Sequence, residues 1–248
     1  MYSIIRTCIA LLFISASLHA ESPEQIVQKS VDKLRGESSK ANLTMKIEKK
    51  RWSREVTMKF WAIEPDYALI YIIEPARDKG TVTLKRKNEV WNWLPSARRV
   101  IKIPPSMMMQ SWMGSHFTND DLVRESSIVD DYKHTMLGKE KVDGKTCYKI
   151  ELQPKPDVGV VWDKLILWID TKHYMQLKVE YYDEEGDLVR TMYGKEPKKM
   201  DGRVIPTRFE LVPADEPEEK TMLIYNEIDF NVNLEKSFFS QQNMKRIR

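Results

Sequence analysis

From Val56 to Ile103 the chain is a succession of short apolar, β-branched and aromatic runs, cut by Pro65, Pro75, Gly80, Asn88 and Pro95. That punctuation predicts consecutive antiparallel strands joined by tight turns. Phe60, Trp61, Tyr67, Tyr71, Trp91 and Trp93 crowd this stretch, and the run Tyr67 to Ile73 is apolar at both alternations. A sheet with one solvated face shows one apolar alternation only. Here either both faces are covered, or one lines an apolar cavity.

The same reading extends in both directions. Before the strands, Ser22-Pro23-Glu24-Gln25 opens a helix: Ser22 is the N-cap, Pro23 suits the first turn, and Gln25 completes a capping box. Ile26, Val27, Val31 and Leu34 share one face, and Gly36 ends it. From Ala41, Leu43, Met45 and Ile47 alternate with polar residues, as do Val56, Met58 and Phe60. Downstream, runs at 133–137, 138–142, 147–152, 164–170, 176–182, 188–193, 204–212 and 222–230 predict further strands. Turns at Asp143-Gly144, Glu185-Gly186 and Asp201-Gly202 separate several of them. Strand follows strand, which excludes a βαβ parallel sheet. The fold class is mainly β (α+β), with one strongly curved antiparallel sheet forming an incomplete barrel.

Between the two groups of strands, Pro104-Pro105 breaks the pattern. Met107, Met108, Met109, Trp112, Met113 and Phe117 then cluster within a few turns of chain. Methionine suits surfaces that fit variable apolar partners, and it also fills irregular core gaps. The segment is therefore either a helical lid over a lipid site or core filler. Thr118 to Asp121 reads as an N-cap leading into a short helix through Leu122 and Val123.

Composition narrows the function classes. Of 248 residues, 42% are hydrophobic and 31% charged, with a net charge of +3, an ordinary folded balance. No basic run alternates with stacking aromatics, so nucleic acid is excluded as a partner. Residues 1–20 combine one early positive charge, an apolar run and a terminal Leu18-His19-Ala20. This predicts a signal peptide cut near Ala20, a mature domain spanning 21–248, and a periplasmic location. Cys147 is then the sole cysteine of the mature chain. The residues offer little chemistry. No metal-ligand spacing, nucleophile elbow or phosphate-binding loop is present in the sequence. His116 beside Asp120 and Asp121 is the single titratable cluster of interest. The expectation is no enzyme activity, no metal and no cofactor.

An exported chain with a leading amphipathic helix, then F-W-A-I-E-P-D-Y ending at Tyr67, Y-I-I-E-P ending at Pro75, and E-V-W-N-W-L-P-S-A-R-R-V ending at Val100, resembles LolA-like outer-membrane lipoprotein-sorting proteins. Ser111 to Leu122 is similar to the S-F-x-G-S-D-F-[ST]-x-x-D-L stretch of one subgroup. The resemblance implies an incomplete barrel with a helical lid and an acyl-binding cavity. It also implies acylated lipoprotein or lipid as partner, transient membrane contact, and an inner-membrane RND/MMPL-type exporter beside it. Two positions depart from the pattern. Glu64 stands where LolA proper has an arginine before the first proline, and His116 replaces the usual acid.

These readings converge on a periplasmic carrier that encloses acyl chains and passes them between membranes. Each buried methylene is worth ~0.8 kcal/mol, so a sixteen-carbon chain gains on the order of 10 kcal/mol. A bilayer offers about the same, so a carrier need only match it. The candidate wall and lid residues are Trp61, Tyr71, Trp91, Trp93, Met108, Trp112, Phe117 and Trp168. Which alternation faces inward is open, because a slip of one residue inverts the choice. The alternative is an envelope interaction or stress-sensing module with a filled core.

Overall fold

A computed structural model describes residues 21–121 and 128–247. The expected signal peptide and the helix through Leu122 and Val123 lie outside them. Helix α1 spans Pro23–Arg35. Its capping box forms as expected: Ser22 Oγ accepts from the Gln25 amide and Gln25 Oε1 accepts from the Ser22 amide, at 3.2 and 3.0 Å. Gly36 closes it at φ 66°, a conformation that costs glycine nothing.

Thirteen strands follow: β1 Ser38–Lys49, β2 Trp52–Ile63, β3 Tyr67–Glu74, β4 Val82–Arg86, β5 Glu89–Leu94, β6 Arg99–Lys102, β7 Tyr132–Val142, β8 Lys145–Pro154, β9 Lys164–Asp170, β10 Gln176–Tyr182, β11 Leu188–Met200, β12 Arg203–Pro213 and β13 Lys220–Phe230. They form one antiparallel sheet in the order β6-β5-β4-β3-β2-β1-β13-β12-β11-β10-β9-β8-β7. Neighbours in the chain are neighbours in the sheet, with one exception. The pairing of β1 with β13 joins the two halves and leaves β6 and β7 at opposite edges. The sheet is therefore an incomplete barrel. Register shifts at Asn42/Leu43 and Met136/Gly138 add twist and curvature.

This topology has a consequence. The chain from Ile103 to Asp131 must travel from one edge of the sheet to the other. As far as Asp121 it lies across the concave face. Trp112 packs there on Leu43, Met45, Met58 and Ile70, and Phe117 touches the apolar clusters of both halves. Between Ile103 and Asp120 the described helical parts are two single 3-10 turns, Pro105–Met107 and Trp112–Gly114, with Met113 at φ 54°. Helix α1 covers the other half of the same face: Ile26 and Val27 pack against Ile150, Leu165, Leu167 and Leu211.

The outer face is also covered. Leu69, Tyr71, Val82 and Leu84 are buried under Phe239 and Met244 of the C-terminal segment, which runs through a 3-10 turn at Lys236–Phe238 and a short helix at Gln241–Met244. That explains the doubly apolar β3. Ile70 and Ile72 face the concave side, while Leu69 and Tyr71 face the C-terminal strap. Among the described residues, no helix is long and apolar enough to cross a membrane.

Candidate functional site

Between the two apolar clusters the concave face does not fill. A hollow of about 180 Å³ remains. Its apolar wall comes from Leu43 and Met45 of β1, Met58 and Phe60 of β2, Ile70 of β3, Phe209 and Leu211 of β12, and Leu223, Tyr225 and Ile228 of β13. Leu34 of α1, Trp112 and Phe117 roof it. A side recess of about 60 Å³ under α1 shares Leu34, Arg35, Asp121 and Tyr181 with it. A dent of about 460 Å³ on the C-terminal strap is wider but shallow and half polar, and encloses nothing.

The roof is tied down on both sides of the hollow. On the first half, Trp112 Nε1 donates to Thr83 Oγ1 of β4 at 3.3 Å, and that hydroxyl donates to Asn92 Oδ1 of β5 at 2.7 Å. On the second half, Arg190 of β11 grips Asp121 with both terminal nitrogens, at 2.9 and 2.5 Å. The Arg190 guanidinium lies 4.5 and 4.4 Å from the ring centres of Trp162 and Tyr181. Planar, delocalised charge suits that slot between rings. Asp121 also accepts from the Thr118 amide at 2.7 Å, while the Asp121 amide donates to Thr118 Oγ1 at 3.2 Å. The expected cap at Thr118 thus forms, and its acid doubles as the roof's anchor.

His116 is placed differently from the expected cluster with Asp120 and Asp121. It reaches β13 and the loop before it. Its backbone N–H donates to Thr221 Oγ1 at 3.0 Å, Nδ1 lies 2.8 Å from the same hydroxyl, and Nε2 lies 3.3 Å from Glu219 Oε2. The network assigns the proton to Nε2, since Nδ1 accepts from Thr221. Burial holds the His116 pKa below its ordinary 6.5, reinforced by the charge of Lys49. The Lys49 hydrogen bond, helped by the Lys50 amide, brings Glu219 down to about 2. His116, Glu216 and Glu219 place ligand atoms within 4.8 Å of one another. Lys49 and Lys50 already pair with the two glutamates, so the group is organised as an ion-pair network.

Charge also meets the hollow where β2 turns into β3. Glu64 accepts from Arg35 at the end of α1 at 3.4 Å, and Lys85 Nζ donates to the Pro65 carbonyl at 2.7 Å. The acid that departs from the LolA pattern is therefore answered by a helix-borne arginine.

Of the eight residues singled out from sequence, the structure brings Trp112 and Phe117 together at the hollow. Trp61, Tyr71, Trp91 and Trp93 lie on the outer face with the C-terminal strap. Met108 packs on Val90 and Ile103. Trp168 is buried with Cys147, Met175 and Leu177, its ring flanked by Lys149 and Lys178 at 4.9 and 4.4 Å. The wall residues missed by that choice are mostly aliphatic, and the alternation of β1 was their signal. Arg190 carries no local motif and was not foreseeable.

Comparison with known proteins bears on this arrangement. A family model described as "-like: Uncharacterized protein" matches residues 64–246. The chain belongs to that family. No curated protein matches it. Solved structures do. A DUF1329 family protein from Desulfovibrio piger superposes with a TM-score of 0.79 at 24% identity, covering 88% of this chain and 95% of the other. A putative outer membrane lipoprotein-sorting protein domain from Vibrio parahaemolyticus gives 0.78 at 24% identity, over 90% and 98%. A LolA superfamily protein from Nitrosomonas europaea gives 0.76 at 21% identity, over 90% and 100%. The family member described here therefore has a LolA-like fold.

Proposed function

We propose that the chain is a carrier that encloses one acyl chain of a lipid or lipoprotein beneath the Trp112–Phe117 roof. The observation that supports it most is the roofed apolar hollow of about 180 Å³ between the halves of the sheet. An apolar cavity of about 150 Å³ takes one benzene, so a hollow of this size takes roughly six or seven methylenes. That suits a segment of one acyl chain, without room for a second. The likeness in fold to a putative lipoprotein-sorting domain and a LolA superfamily protein points the same way.

The mechanism needs binding only. Hydrocarbon gains about as much in the hollow as in a bilayer, so loading and release follow the state of the roof. The Asp121–Arg190 pair and the Trp112–Thr83 bond hold that roof. Export by a signal peptide cut near Ala20, a single domain over 21–248, a periplasmic location and delivery by an RND/MMPL-type exporter complete the proposal. N-terminal sequencing of exported protein tests the first of these, with Glu21 as the expected first residue.

Filling the hollow tests the core of the reading. Leu43→Trp places an indole where the chain would lie. A fluorescent fatty-acid probe is expected to bind the lipid-stripped parent protein and to be lost from Leu43→Trp, while the fold is kept. Equal binding by both would place the probe elsewhere and refute the assignment.

A further inference from the structure

Charge is distributed unevenly over the molecule. Residues 85–102 hold six Lys and Arg against Glu89 alone, and the strap 234–247 adds three against Glu235, whereas the whole chain carries only +3. Fold brings these segments together. The strap covers the outer face of β3 to β5, with Lys236 over the Tyr67 ring at 5.8 Å and Lys245 over Trp93 at 5.9 Å. Glu89 is paired with Lys102. Arg86, Lys87 and Lys236 are exposed at the β4–β5 turn, while Arg98, Arg99 and Lys245 are exposed toward the opposite end of β5. The adjoining turn holds two acids: Asp66, whose carbonyl accepts from the Lys87 amide at 2.6 Å, and Glu64, which pairs with Arg35.

Apolar side chains stand among these cations. Met107 and Met109 are 36% and 50% exposed, and Ile101 on the edge strand is 43% exposed. Met108 between them packs on Val90 and Ile103, which fixes the methionines beside the β4–β5 turn. The same corner holds part of the hollow's lining: Arg86 pairs in register with Tyr67, and Lys85 bonds to Pro65.

We propose that this corner, the β4–β5 turn with edge strand β6 and Met107–Met109, docks on an anionic lipid bilayer and so presents the hollow's lining to the membrane. The cations supply attraction to acidic headgroups, worth ~1 kcal/mol per basic residue near the surface. The methionines and Ile101 enter the headgroup boundary, as apolar side chains of interfacial segments do. The corner favours a bilayer over an acidic protein. Its exposed apolar groups are two methionines and an edge-strand isoleucine set among cations, the mix that interfacial segments present to headgroups. The docking does not depend on what the hollow carries, so it can fail while acyl binding stands, and the reverse.

The test uses the chain from Glu21 onward, which contains the whole described fold, and vesicles without cargo. Co-flotation is measured on phosphatidylglycerol/phosphatidylcholine vesicles and on pure phosphatidylcholine at low ionic strength. Binding is expected on the anionic vesicles and to vanish as salt is raised. Arg86→Glu with Lys87→Glu is expected to weaken it roughly tenfold or more. Met107→Ser with Met109→Ser weakens it less, and Lys133→Glu with Lys141→Glu, on exposed positions of the far edge strand β7, leaves it unchanged. Equal flotation with neutral and anionic vesicles would overturn the proposal. So would indifference to Arg86→Glu/Lys87→Glu, or retention on immobilised polyglutamate without any vesicle binding, the signature of an acidic protein partner.

Discussion

Replacing Asp121 by alanine tests the roof directly. Its partner Arg190 has a side chain 7% exposed, and Asp121 itself 19%. Removing one member of a buried pair costs ~3–5 kcal/mol when the other charge is left without compensation. Asp121 is at the margin of burial, and Arg190 keeps the His116 carbonyl at 3.4 Å and the flanking Trp162 and Tyr181 rings. The cost therefore falls below that range, about 2 kcal/mol, or a factor of roughly 30 in the roof's closed-to-open equilibrium. The loss falls on the roof before the sheet, since the strand ladders do not involve Asp121. Hydrogen exchange reads it at the amides of Trp112, Ser115, Asn119 and Asp120, all bonded within the segment. These are expected to exchange about 30-fold faster, while the β1–β13 ladder keeps its protection. Arg190→Met gives a second arm. The double variant should show a coupling of at least ~1.5 kcal/mol, as groups in direct contact do. Unchanged exchange at those four amides, or coupling near zero, would mean the pair behaves as a solvated surface contact. The roof would then be held by something else.

Other outcomes follow from the same structure. Burial lowers the pKa of both His116 and His134 below 6.5, so the unfolded chain takes up protons first as pH falls through that value. Stability to urea should drop just below pH 6.5, and Glu219, held at about 2, adds a further loss between about pH 4.5 and 2; a flat profile across this range contradicts the burial of the two histidines and the Lys49–Glu219 pairing. Cys147 is fully buried and its thiol pushed up to about 11, chiefly by burial and then by Asp170, so iodoacetamide should leave it unmodified in native protein at pH 8 and label it only on unfolding. Met244→Ala removes a fully buried side chain of the strap and should cost about 3 kcal/mol in urea unfolding, yet leave acyl-probe affinity unchanged, because Met244 packs on the outer face and does not line the hollow; loss of probe binding in a folded Met244→Ala protein would contradict that placement.

Much of the architecture was legible because local signals agreed with each other. The Ser22-Pro23-Glu24-Gln25 cap, the glycine turns at 144, 186 and 202, and the two-residue alternation of β1 each depend on neighbours in sequence. What was not legible depends on distant contacts. The doubly apolar β3 signalled two covered faces, but its cover on one side comes from Phe239, far along the chain. Phe238-Phe239 in an otherwise polar tail was the available sign of that strap. The site choice favoured large aromatics, and most of these are where space is filled: Trp61 against Phe238, Trp168 between two lysine stems. A hollow persists where side chains fall short of one another, so its wall is made of Leu43, Met45, Leu223 and Ile228. His116 points to Glu219 and Thr221, more than a hundred residues away, which no spacing rule reaches.

The most direct measurement of the central claim is native mass spectrometry of the lipid-stripped protein mixed with a single-chain lipid. The account predicts one added lipid mass per protein, abolished in Leu43→Trp and retained in Met244→Ala. A spectrum that stays at the bare protein mass at every lipid concentration would contradict it.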